Sequence, residues 1–199
     1  MSEYLIQKKE ILDGDYVICS CEGAAEETII NLLLKNNMLI FDTNNLVDGE
    51  ITRIRKAKRI EEQFLKRSYK KKIHIIRILD SKNEKFNLSK IYKLKPNMID
   101  SDIISIITHP EIEILLIISE NKYDDFQKYK NEESPSKYCN RLFKSKIDVK
   151  SKAFLECYFD NIYKLLNAIY LYKSKVNIEK DELCLYDLLK DEYKKLINK

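Results

Sequence analysis

Tyr16-Val17-Ile18-Cys19-Ser20-Cys21-Glu22-Gly23, with the twelve residues that follow it, decides the fold. The first six residues are an apolar run bounded by Asp13-Gly14-Asp15 and by Glu22-Gly23, which predicts a buried strand. Behind it Ile29, Leu32, Leu33 and Leu34 recur at helical spacing, with Glu26 and Glu27 in the first turn and Asn36-Asn37 as the stop. Residues 38–41, Met-Leu-Ile-Phe, predict a second strand. Strand–helix–strand is the unit from which parallel sheets are built.

Outward from that unit, residues 42–50 read as a polar loop and residues 51–69 as a basic helix. The helix would carry Arg53, Arg55, Lys56, Lys58, Arg59, Lys66 and Arg67, with Ile54, Ala57, Ile60, Phe64 and Leu65 as its apolar face. Residues 73–79 predict a third strand closing at Asp80, and residues 103–107 a fourth. Thr108-His109-Pro110-Glu111 has the form of a helix start: Thr as cap, Pro in the first turn, Glu at the third position. From residue 120 the spacing is helical, over 121–130, 135–145, 151–173 and 181–197, with Ser134-Pro135 and Asp181 as start signals. The expectation is an α/β fold, a mostly parallel central sheet flanked by helices, with a helical C-terminal third. Residues 1–120 would form the core and 121–199 a helical extension, either separate or continuous with it.

Composition limits the classes of function. With 199 residues, 44% apolar and 34% charged, the chain can bury a core without staples, which excludes an intrinsically disordered protein. Three Gly and three Pro exclude a loop-dominated chain, and no Gly-rich phosphate loop of the P-loop or Rossmann kind is present. Thirty-six basic residues nearly cancel 32 acidic ones, and a net charge of +4 does not by itself indicate nucleic acid. The start Met1-Ser2-Glu3-Tyr4 lacks a secretory pattern, and no apolar run approaches the ~20 residues of a membrane helix. Five scattered cysteines without zinc spacing predict reduced thiols in a cytoplasmic protein.

Chemistry is expected where parallel strands end and helices begin. Glu22, Asp80 and Glu111 fall at such ends, with Glu26, Glu84 and Glu113 close to them in sequence. Carboxylates gathered on one rim suit a hard divalent cation, since Mg²⁺ takes a few carboxylate oxygens together with water and phosphate. Each acid also has a structural alternative. Glu22-Gly23 could be a tight turn, and Glu26 and Glu27 could serve the helix dipole. Glu84 fits a capping box from Ser81, as Glu111 does from Thr108. Asp80 and Glu113 are harder to explain that way, because a carboxylate amid apolar residues demands a partner.

Cys21-Glu22-Gly23 after an apolar strand, with Glu26-Glu27 opening a helix, resembles the first motif of the Toprim domain of topoisomerases, primases and several nucleases. Asp80 stands where that family carries Asp-x-Asp, but the chain reads Asp80-Ser81-Lys82, so the second aspartate is absent. Thr108-His109-Pro110-Glu111-Ile112-Glu113 before an apolar helix is similar to the Asn-Pro-x-Phe-Glu segment of RloB-like proteins, a Toprim-type family of prokaryotic restriction and defence loci. Pro110 and Glu113 match that pattern, and Ile112 replaces its phenylalanine.

The resemblance covers roughly residues 16–120. It implies a Toprim-like sheet and a nuclease dependent on Mg²⁺ (or Mn²⁺) in a phage-defence or restriction context, with an ATPase partner encoded nearby. Glu22 would act as general base or ligand and Asp80 as principal ligand, supplemented by Glu26, Glu84 or Glu113. Read from charge and position instead, Arg53, Arg55, Lys56 and Arg59 would hold phosphates or simply form a solvated face, and His109 at the rim would touch the substrate. The rival reading is a non-catalytic Toprim-like module that has lost its metal through Lys82 and binds nucleic acid or a partner. An RNA-maturing nuclease is a third reading.

Two sets of residues remain. His74, inside a strand, reads as an edge or core residue. The tyrosines of the tail (Tyr158, Tyr163, Tyr170, Tyr172, Tyr186, Tyr193) either pack between helices or stack unpaired bases. Whether the chain forms a homo-oligomer stays open.

Overall fold

A computed structural model describes residues 14–81, 84–93, 103–144, 148–179 and 182–197 of the chain. Three parallel strands, β1 (Tyr16–Cys21), β2 (Ile73–Leu79) and β3 (Ile103–Ile107), form a sheet in the order β1-β2-β3. Tyr16 pairs with Ile73 and Ile75 with Ile103, and the register runs unbroken from there. All seven residues of β2 are buried, as a central parallel strand requires.

The two faces of the sheet carry different cores. Val17, Cys19 and Cys21 of β1 share one face with Ile76, Ile78, Ile104 and Ile106, and α1 (Ala24–Lys35) packs there. Ile18, Ile73 and Ile75 point to the other face, which is covered by α2 (Ala57–Ile60), the π turn Glu61–Leu65 that continues it, and Leu88 just before α3 (Lys90–Lys93). Both faces are therefore closed by helices or connecting segments. Beyond β3 the chain is helical: α4 (Ile114–Ser119), α5 (Tyr123–Tyr129), α6 (Pro135–Phe143), α7 (Lys152–Tyr158), α8 (Ile162–Lys175) and α9 (Asp191–Ile197). Leu165, Leu166, Ala168 and Ile169 of α8 lie in the same core cluster as Ile104 and Ile106, so the helical third shares a core with the sheet. The α/β reading with a helical C-terminal region is thus observed.

Five local expectations are corrected, the first being the helix over 181–197: among its described residues Leu183 bridges Ile106, Leu185–Leu188 form a 3-10 turn, Leu189 bridges Leu39, and the α-helix begins only at Asp191. Residues 38–41 are not a sheet strand; Leu39 makes one isolated antiparallel bridge, to Leu189. The edge of β1 is taken instead by the following loop, where Val17 donates to the Asn45 carbonyl (2.7 Å) and Cys21 to the Thr52 carbonyl (2.9 Å). The basic segment 51–69 is not one helix. Residues 51–56 are extended because Ser20 Oγ donates to the Ile54 carbonyl at 2.7 Å and Thr52 Oγ1 accepts the Ile54 amide at 3.2 Å. Thr108 caps no helix; its hydroxyl points back to the Leu79 carbonyl (3.1 Å), and α4 starts after Glu113. The single helix expected over 151–173 breaks at Phe159-Asp160-Asn161, where Asn161 caps α8 through the Tyr163 amide at 3.1 Å.

Lys82 and Asp181 lie outside the described residues. All five cysteines are free thiols, four of them buried.

Candidate active site: an acidic cluster at the carboxyl ends of the strands

Because the strands are parallel, the residues that follow them meet on one rim. Glu22 follows β1, and its amide donates to the Ile78 carbonyl at 3.1 Å. Its carboxylate then extends the ladder: Oε2 accepts the Asp80 amide at 2.9 Å and Oε1 pairs with Arg55 Nη2 at 2.7 Å. Asp80 follows β2, and Thr108 Oγ1 lies 3.4 Å from its Oδ1.

Glu26 reaches the same place from the first turn of α1, where its carboxyl and that of Asp80 act on each other. Gly23 makes room for it: a Cβ at that position would stand 2.8 Å from Glu26 Oε2. Gly23 is extended (φ −140°), so the glycine serves close approach and not an unusual backbone.

Burial sets the electrostatics. It pushes Asp80 up to about 7, helped by the charges of Glu26 and Glu22 and by its interaction with the Glu26 carboxyl. Burial also raises Glu26, with the charge of Glu113 adding to it. Glu113, only 2% exposed, is raised to about 7 by burial, against the opposing charge of Lys150. Among the described residues neither Glu113 oxygen has a hydrogen-bond partner, although Lys150 Nζ stands 3.7 Å from Oε1. Glu111 Oε2 accepts the Ser136 amide at 2.9 Å, so it serves the start of α6 and not a box with Thr108.

The remaining predicted residues divide. Glu84 faces cations: Oε2 pairs with Arg77 Nη2 at 2.8 Å and Oε1 with Arg55 Nε at 3.4 Å. No helix starts at Glu84, so it caps nothing either. Arg53 pairs with Glu27 at 3.2 Å, and Lys56 and Arg59 are exposed. The extended segment 51–56 therefore brings Arg53 and Arg55 to the acidic rim, where a helix would have carried them elsewhere. His109 is exposed and lines two neighbouring clefts, of about 680 and 350 Å³. The smaller one also contains Ser81, the residue after Asp80.

The tail tyrosines mostly pack. Tyr158 stacks among Phe143, Phe154 and Phe159, and buried Tyr172 donates to the His109 carbonyl at 3.0 Å. Tyr163 is 63% exposed. His74 is fully buried and bonded to Asp15 at 3.0 Å.

Two residues that sequence reasoning passed over belong to this site. Arg77 is 2% exposed, stacks 4.4 Å over Phe86 and anchors Glu84. Its signal was a lone charge inside the otherwise apolar run of β2. Lys150 had no signal in a chain with 36 basic residues.

Among the described residues, no three His, Cys, Asp or Glu side chains form a ready-made metal-ligand group. A Mg²⁺ ion needs less than that, because it keeps several waters and takes one or two carboxylates. Glu26 and Asp80 could supply such carboxylates, with the buried oxygens of Glu113 in the same electrostatic cluster.

Comparison of the chain with family models, curated proteins and solved structures returned no match. Among the described residues no helix is long and apolar enough to cross a membrane.

Proposed function

We propose that this protein is a Mg²⁺-dependent phosphodiesterase acting on nucleic acid, with its site at the acidic rim. The observation that carries the reading is the convergence of three acids on one rim: Glu22 Oε2 accepts the Asp80 amide at 2.9 Å, and Glu26 comes in over Gly23 from the first turn of α1, with burial raising both Asp80 and Glu26. Acids raised by burial and by neighbouring carboxylates can exchange a proton for a cation. Perturbed acids at the topological focus of an α/β sheet are the arrangement expected of a site.

Glu26 and Asp80 would hold the ion, and Glu22 would brace Asp80 through its amide. When bound, the ion would polarise a phosphodiester and lower the pKa of a coordinated water. Arg53, Arg55, Lys56 and Arg59 would engage phosphates along the rim. Arg55 has a second task. Its pairing with Glu22 Oε1 blocks that oxygen, so transfer of Arg55 to a substrate phosphate would free Glu22 to accept a proton from water. Assignment to a Toprim or RloB-like family, the phage-defence setting, an ATPase partner and a cytoplasmic location rest on the sequence resemblance and composition alone.

The test is cleavage of DNA and RNA with Mg²⁺ or Mn²⁺ by wild type, Glu22→Gln and Asp80→Asn. Wild type should cut, and both variants should lose about 100-fold or more in rate. Equal behaviour of all three, or no cleavage by wild type, overturns the reading.

A non-catalytic nucleic-acid or partner-binding module is the second reading. It is favoured by the absence of a ready-made ligand group among the described residues and by the Arg55–Glu22 pairing. It requires that Mg²⁺ and Mn²⁺ leave the melting temperature of wild type unchanged.

A further inference from the structure

Lys150 enters the acidic cluster from outside the sheet. Its Nζ stands 3.7 Å from Glu113 Oε1 and 3.9 Å from Glu111 Oε2, between the two carboxylates and hydrogen-bonded to neither. The charges of Glu113, Glu111, Asp80 and Glu26 all act on it. Its backbone is fixed: Val149 is buried at 1% exposure, the Lys150 amide donates to Asp148 Oδ1 at 2.9 Å, and α7 starts immediately after Ser151. The ammonium is therefore presented to the cluster by an anchored turn.

Glu113 makes this placement informative. A carboxylate that is 2% exposed and accepts no hydrogen bond is an incomplete environment, relieved by a proton or by a nearby cation. Sites that use two divalent ions hold them about 3.5–4 Å apart on neighbouring carboxylates. Here the carboxylates fall into two halves, Glu26 with Asp80 and Glu111 with Glu113, and the second half already faces a positive charge.

We propose that Lys150 is a tethered cation filling the Glu111–Glu113 half of the cluster, so that the site takes one divalent ion, on Glu26 and Asp80, and not two. The inference rests on the reading that Glu26 and Asp80 hold a divalent ion. Like charges repel most strongly in a partly desolvated cluster, so an ammonium in one half excludes a second metal ion from it.

Lys150 is 46% exposed, so its replacement leaves the core intact. The experiment is Mn²⁺ binding to the full chain, followed by electron paramagnetic resonance of the free ion, for wild type, Lys150→Gln and Lys150→Arg. Circular dichroism verifies that each variant is folded. Wild type and Lys150→Arg should bind one Mn²⁺ per chain, and Lys150→Gln two. In Lys150→Gln combined with Asp80→Asn, the second ion should remain. One ion in both wild type and Lys150→Gln overturns the role of Lys150 and leaves the metal reading standing. No ion in wild type overturns the metal reading itself.

Discussion

The Asp80 amide donates to Oε2 of Glu22 across 2.9 Å, so the backbone of one strand end is held by the side chain of the next. The Glu22 amide returns the contact through the Ile78 carbonyl at 3.1 Å. Together these bonds extend the β1–β2 ladder past its last residue pair. They fix Asp80 where Glu26 and Thr108 reach its carboxyl. Glu22 is thus a brace of the site before it is anything else.

The brace separates two substitutions. In Glu22→Gln the amide oxygen still accepts from Asp80 and only the half-exposed Arg55 pair is lost, so stability should change by less than about 0.5 kcal/mol. Glu22→Ala leaves the Asp80 amide without its acceptor and should cost about 1–2 kcal/mol, or roughly 3–6 °C in melting temperature for a chain of this size. Thermal denaturation of the two variants beside wild type checks the difference.

Stability should fall as the pH rises through neutrality. Asp80 and Glu113 are both held near 7 in the folded protein, whereas unfolded carboxyls titrate near about 4. Between those values the folded state keeps protons that the unfolded state has lost. The contribution is complete below about pH 4 and is lost as the pH rises through about 7. Melting temperature should therefore drop between pH 5.5 and 8 more in wild type than in Asp80→Asn/Glu113→Gln. Mg²⁺ should recover part of the drop in wild type only.

Glu84 pairs with Arg77, and its substitution is expected to act on stability and not on metal affinity. Arg77 is 2% exposed, and Glu84 is its partner at 2.8 Å. Glu84→Ala strands a buried guanidinium, and breaking such a pair costs about 3–5 kcal/mol. The figure here should fall toward about 2 kcal/mol, because Glu84 itself is partly exposed. Urea denaturation should show that loss, and Mn²⁺ affinity should stay within about twofold of wild type, below the roughly tenfold loss expected for a ligand or its support.

Gly23→Ala should act in the opposite sense. The added methyl meets Glu26 Oε2 at 2.8 Å, a flexible side-chain end that swings away at little cost. Stability should change by less than about 0.5 kcal/mol, while displacement of the carboxylate should weaken Mn²⁺ binding about tenfold. Calorimetric titration with Mn²⁺ measures the affinity and a parallel melt measures the stability.

What could be read from the sequence follows the reach of local physics. β1, α1, β2 and β3 were legible because each is a bounded apolar run or a clean helical period, and Glu22, Glu26 and Asp80 followed from where those runs stop. Residues 38–41 misled because an apolar tetrapeptide does not say which neighbour it joins, and the edge of β1 went to Leu46 and Thr52. The helix expected over 51–69 failed for a similar reason: Ser20, some 34 residues away, captures the Ile54 carbonyl and keeps the chain extended. Glu111 and Glu84 found partners in Ser136 and Arg77, which no local motif could announce. Lys150 depends on a turn after α6 folding back onto the sheet rim, a tertiary event that leaves no trace in sequence.

The central claim is that Glu26 and Asp80 together hold a divalent cation. Diffraction from crystals grown with Mn²⁺, recorded to locate its anomalous signal, tests it most directly. The account predicts one peak bonded to carboxylate oxygens of Glu26 and Asp80, with Lys150 still facing Glu111 and Glu113. Absence of any peak among these side chains at millimolar Mn²⁺ would contradict it.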